Sequence, residues 1–117
     1  MKDYKELNVW KKGIEIVAFV YQVTKRFPKE EKFGLISQMQ RASVSIPSNV
    51  SEGFARQYNK EFIQYLYMSL GSCAELETQT IVSKQLQFIH NNDFSKLCEL
   101  LDHESRMLMR LIQSIKY

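Results

Sequence analysis

Glycine and proline are scarce in this sequence, at four and two of 117 residues. A β-sandwich or barrel needs many turns and normally uses more of both, so the shortage points to helices. No apolar run approaches the roughly 18–20 residues of a membrane span. The opening stretch MKDYKELNVWKKG carries charges every few residues, unlike the apolar centre of a signal peptide. Cysteine occurs only as Cys73 and Cys98, without CxxC spacing. That argues against a disulfide framework or zinc site and fits a reducing, cytoplasmic setting. What is present is the balance of an ordinary globular protein, 44% hydrophobic and 25% charged. A mass of 13.8 kDa suits a single domain over residues 1–117.

Apolar periodicity marks four helices, at about 8–26, 29–56, 60–90 and 93–116. Short connections then imply an all-α, antiparallel up-down-up-down four-helix bundle. The first helix carries two apolar rows. Leu7, Trp10, Ile14, Val17 and Tyr21 form one; Val9, Ile16, Val20, Val23 and Phe27 form the other. Together they cover about 200° of the circumference, twice the arc a surface helix needs. Either the core is unusually thick, or one row faces the bundle and the other a neighbouring subunit. The second alternative makes Val9, Ile16, Val20 and Val23 the expected oligomer interface.

Phe27-Pro28 is expected to end the first helix and open the second. Pro47 lies inside the second, where a kink is expected. Beside its apolar face runs a polar row, Gln38, Arg41, Ser45, Asn49 and Glu52, with short or amide side chains rather than the lysines and glutamates of a solvated surface. This row reads as a partly buried hydrogen-bonding seam. In the third helix, Ile63, Leu66, Leu70, Cys73, Glu77 and Ile81 share a face, which places an acid among apolar residues. Glu77 then either pairs with Arg41 or turns far enough to reach water. The last helix has Leu97, Leu101, Leu108, Ile112 and Ile115 along its seam.

Catalytic patterns are missing. His90 and His103 are the only histidines, and Gln87 and Leu100 stand three residues before them, so the Glu-x-x-His pairs of a di-iron bundle are absent. No arginine precedes either histidine by four to six residues, as one bundle-type ribonuclease requires. Gly13, Gly34, Gly53 and Gly71 are isolated and form no phosphate loop. The expectation is a non-enzymatic protein with no cofactor or metal.

Charge is uneven: residues 1–60 carry a net +5 and residues 61–117 a net −2. In the expected topology one pole gathers Lys2, Lys5, Lys11, Lys12, Arg56, Lys60, Arg110 and Lys116, with Tyr4, Tyr58, Phe62 and Tyr117 interleaved. Bases among aromatics suit phosphate contact with base stacking, although solvation alone also accounts for them. Lys11, Lys12, Arg56 and Lys60 are the expected phosphate contacts and Tyr58 the stacking platform.

The stretch Phe27-Pro28, GLISQMQRASVSIPSNVSEGFAR (34–56) and KEFIQYLYMSLGSCAELETQ (60–79), together with Leu7-Asn8-Val9-Trp10, resembles the bacterial four-helix-bundle proteins encoded in 23S ribosomal RNA intervening sequences. SIPSNVSEG (45–53) combined with GSCAELE (71–77) is its most specific part; Ser51 stands where that pattern usually has alanine. The resemblance implies a bundle that assembles into a ring, typically a homopentamer. It extends to the accessory variability protein of diversity-generating retroelements, a basic ring that binds nucleic acid and works with a reverse transcriptase. The polar row lies in the first motif, and Glu75 and Glu77 in the second. Two roles follow as expectations: an oligomeric module binding RNA or DNA, or a structural adaptor ring presenting a surface to a protein such as a reverse transcriptase.

Overall fold

The computed structural model describes residues 3–116. Lys2 and Tyr117, assigned above to the basic pole, lie outside the described residues. Among the described residues there are four α-helices and no strand: α1 (Asn8–Thr24), α2 (Leu35–Phe54), α3 (Asn59–Gln85) and α4 (Asn91–Lys116). None of them is long and apolar enough to cross a membrane.

Two helix boundaries differ from the periodic reading, each for a backbone reason. Pro28 precedes a short 3-10 turn, Lys29–Glu31, instead of opening the second helix. Gly34 takes φ −108° and ψ −113°, outside the helical region, so no helix continues from Lys29 into Leu35. Helix α2 starts just after it, where Glu31 Oε1 accepts the Leu35 N–H at 3.1 Å. Helix α3 stops at Gln85 instead of near His90. Gln87 adopts a left-handed φ of 64°, and the Phe88 N–H closes onto the Ser83 carbonyl at 2.9 Å, a helix-ending loop of the Schellman kind. Helix α2 itself passes through Pro47 without interruption.

The helices pack in a cycle, α1 on α2, α2 on α3, α3 on α4 and α4 on α1, with the diagonal pairs out of contact. Ile16, Met39, Ile46, Leu66, Leu76, Leu97, Leu101 and Leu108 fill the centre with no solvent exposure to speak of. Side chains pair between helices at several levels. Gly13 lies against Pro47, Gln40 Nε2 donates to Thr24 Oγ1 at 3.2 Å, and the Ser45 and Ser72 hydroxyls meet at 2.7 Å.

The two rows of α1 are disposed the opposite way from the expected interface. Val9, Ile16, Val20 and Val23 are buried in the subunit's own core and cannot serve as an oligomer contact. The row Trp10, Ile14, Val17 and Tyr21 lies outward, half-buried to exposed. Gly13 explains the choice. It sits in the same arc as Val9 and Ile16, and a Cβ there would meet Pro47 at 3.1–3.3 Å, so only this face lets α1 approach α2 so closely.

Glycines in the helices also separate tight from open contacts. A Cβ at Gly53 would come within 2.6 Å of Tyr65 Cβ, whereas at Gly71 nothing lies within 4 Å. Gly53→Ala is expected to destabilise the fold by about 1–3 kcal/mol through overpacking. Gly71→Ala, in the middle of α3, should raise stability by about 0.5–1 kcal/mol through helix propensity. Urea unfolding of both variants checks the contrast.

Candidate functional site

An uncovered apolar row lies along the outside of α1 and α2. Ile14 and Tyr21 are 44% and 42% exposed, and Val44 of α2 joins them. A cleft of about 200 Å³ opens there between Trp10, Val17, Pro47 and Ser51, with no acid or base among its lining residues. The 3-10 turn Tyr4–Glu6 folds over one end, where the Tyr4 and Trp10 rings meet edge to face at 5.6 Å between centroids. Scattered surface apolar residues are ordinary; a row of them along one helix, continued onto its neighbour, marks an interaction face.

The bases expected at one pole separate into two groups. Lys11 and Lys12 line a groove between α1 and α4 with His103 and Met107, and Lys12 Nζ is bonded to Glu15 at 3.0 Å. Arg56 lies in the α2–α3 turn, its guanidinium 4.9 Å from the centre of the Tyr65 ring of α3; Tyr58 of the same turn is 62% exposed, and Lys60 is exposed in the first turn of α3. At the end of α4, Lys116 Nζ donates to the Tyr67 hydroxyl at 3.1 Å. Phe62 is withdrawn from this surface, packed edge to face on Phe54. Lys11 and Lys12 thus line the groove between α1 and α4, whereas Arg56 contacts Tyr65 of α3, and no groove joins the two groups among the described residues.

The polar row divides as well. Ser45 and Asn49 are half-buried at the α2–α3 junction, where Asn49 Nδ2 donates to the Ser45 carbonyl at 2.8 Å. Ser69 of α3 donates to the Ile46 carbonyl at 2.9 Å and completes the junction. Glu52, Gln38 and Arg41 face solvent. Glu75 accepts from Gln79 Nε2 at 3.3 Å. The Arg41–Glu77 pair does not form: among the described residues neither makes an ion pair, and both side chains are exposed. Glu77 is turned out because the buried stripe of α3 follows Leu66, Ser69, Cys73, Leu76, Thr80 and Ser83. The small hydroxyls enter the core because Thr80 and Ser83 return their hydrogen bonds to carbonyls one turn back, at 2.7 and 2.8 Å.

The acid inside the bundle is Glu104 of α4. It is fully buried, and neither carboxylate oxygen has a hydrogen-bond partner. Burial pushes its pKa up to about 8, with Lys12 across the α1–α4 contact partly opposing the rise. Glu104 is therefore mostly protonated at neutral pH. Cys73, on α3, is pushed up to about 12 by burial and then by the Glu104 charge, so its thiol stays unreactive. Cys98 is half-buried and raised by burial, then by Glu77. Among the described residues no three His, Cys, Asp or Glu side chains gather closely enough to hold a metal ion. The spacing contained the clue to Glu104, three residues after Leu101 and four before Leu108, inside the α4 seam.

These features define a small four-helix bundle with an uncovered apolar row along α1. The family model of the 23S rRNA-intervening sequence protein matches residues 5–110, and the chain belongs to that family. The fold is also similar to the crystal structure of a protein with unknown function from the S23 ribosomal protein family of Bacteroides thetaiotaomicron, with a TM-score of 0.82 at 20% identity, covering 89% of this chain and 97% of that one. No curated protein matches.

Proposed function

We propose that the chain is a non-enzymatic subunit of a cyclic homo-oligomer, an antiparallel up-down-up-down bundle that binds RNA or DNA in the cytoplasm. The cross-helix pairs support the topology: Gly13 with Pro47 and Thr24 with Gln40 join α1 to α2, and Arg26 with Asp93 joins α1 to α4. The observation that carries the proposal is the uncovered row Trp10, Ile14, Val17 and Tyr21, which a second copy covers. This row replaces the Val9 row as the proposed contact. Homopentamer formation, as the family resemblance implies, multiplies the chain's formal charge of +3 fivefold and sets the α2–α3 turns of neighbouring subunits side by side. Arg56, Tyr58 and Lys60 in that turn then contact phosphates and stack on a base, with Lys11 and Lys12 contributing along the α1–α4 groove.

A filter-binding titration with structured RNA and duplex DNA at two salt concentrations tests this. The expected result is affinity that falls steeply with salt and drops when Arg56 and Lys60 are both replaced by glutamine. Binding indifferent to salt and to those substitutions contradicts it. A second reading, an adaptor ring for a protein partner such as a reverse transcriptase, draws on Met68, Val82 and Leu86 of the α3 segment, which remain exposed away from the α1–α2 face.

A further inference from the structure

At the opposite end of the α1–α2 pair lies a second cleft of about 310 Å³, at the lower end of the roughly 300–1,000 Å³ range of small-molecule sites. Its floor is apolar, made by Phe27 and Ile36 beside Thr24, whose hydroxyl is already engaged with Gln40 and the Val20 carbonyl. Its rim is cationic: Lys25, Lys29 and Lys32 line it, and no acid does. None of the three lysines has an ion-pair partner among the described residues. Of the two acids between Lys29 and Lys32, Glu31 accepts the Leu35 N–H, and Glu30 is exposed and outside the cleft lining. At the same corner Phe33 is 89% exposed, with the Lys32 ammonium 5.4 Å from its ring centre. A solvent-exposed phenyl ring beside an apolar floor and three unpaired ammonium groups offers both apolar burial and charge-assisted hydrogen bonds.

We infer that this corner binds a small anionic amphiphile, a carboxylate, phosphate or sulfonate head carried on an apolar body, taken as a single molecule from solution. The body enters between Phe27 and Ile36, and the lysine rim holds the head. The chemistry is complementary in sign as well as shape: a cationic amphiphile would meet three like charges, and a polar anion would gain nothing from the floor. The site goes beyond the nucleic-acid proposal and stands independently of the assembly, since none of its residues belongs to the Trp10 row or the α2–α3 turn.

The test is a fluorescence titration of the full chain with 8-anilinonaphthalene-1-sulfonate, competed by decanoate. Saturable binding of one probe per chain is expected, displaced by decanoate. Replacing Lys25, Lys29 and Lys32 together by glutamine should weaken it about tenfold or more, with helical circular dichroism unchanged because all three side chains are exposed. The uncharged analogue N-phenyl-1-naphthylamine should bind wild type and triple variant alike, and Ile36→Trp should block both probes by filling the floor. Unsaturable fluorescence, unchanged sulfonate affinity in the triple variant, or loss of the signal on Val44→Glu instead of Ile36→Trp would overturn the assignment. So would attachment to anionic phospholipid vesicles without binding of the monomeric probes.

Discussion

Replacing Glu104 by glutamine should stabilise the protein by about 3 kcal/mol at pH 7, an increase of about 10 °C in Tm, and by almost nothing near pH 4.5. The sign follows from the direction of the shift. Burial raises the folded-state pKa of this carboxyl to about 8, above the ordinary carboxylate value of 4.5. Below pH 4.5 both states hold the proton and the group costs nothing further. As pH rises from there, the unfolded chain releases a proton that the fold retains, so wild-type stability falls by about 1.4 kcal/mol per pH unit until pH passes about 8. Glutamine has no proton to lose and the same size. Thermal melts of both proteins between pH 4.5 and 8.5 should converge at the acid end and diverge above it. Parallel melting curves across that range would show that Glu104 is ionised and compensated in the fold. Glu104→Met, which also removes the two unpartnered oxygens, should be at least as stable as the glutamine variant at pH 7.

The second large effect concerns the outside of α1. Ile14→Glu should convert the proposed assembly to monomer without loss of helix, because the side chain is 44% exposed in the single subunit and a carboxylate there meets water when alone but an apolar surface when paired. Ile16→Glu, two residues on, should instead unfold the chain, since that position has no exposure. The pair of variants separates an interface role from a core role on one helix. Sedimentation gives the mass, and circular dichroism the fold.

Much of this architecture can be read from apolar spacing, and the places where it cannot be read are instructive. Four helices emerge because period and breaker residues agree at Phe27-Pro28 and at His90 to Asp93. The start of α2 is hidden because its delay depends on the backbone of Gly34, which spacing does not encode. The excess apolar arc of α1 is legible, but its orientation is not settled by counting. Val9, Ile16, Val20 and Val23 and the Trp10 row repeat with the same period, and Gly13 is the residue that assigns the inner face. In α3, hydropathy treats Ser69, Thr80 and Ser83 as surface residues, although their hydroxyls are satisfied by nearby carbonyls and enter the core. A stripe drawn by hydropathy alone therefore turns Glu77 inward, although the buried acid is Glu104. The polar row of α2 is legible as a seam only where Ser45 and Asn49 meet α3. For Lys11, Lys12, Arg56, Tyr58 and Lys60, the sequence identifies surface bases and an exposed aromatic. It does not foresee that they divide between the α1–α4 groove and the α2–α3 turn, because that depends on which helix each stem lies against.

In the proposed ring, the outer row of α1 joins one copy of the chain to another. Sedimentation equilibrium of the purified wild-type protein tests it most directly. The expected result is a single species at an integral multiple of 13.8 kDa, five by the family resemblance, and a shift to 13.8 kDa in Ile14→Glu. A wild-type protein that stays at 13.8 kDa across the micromolar range would contradict it.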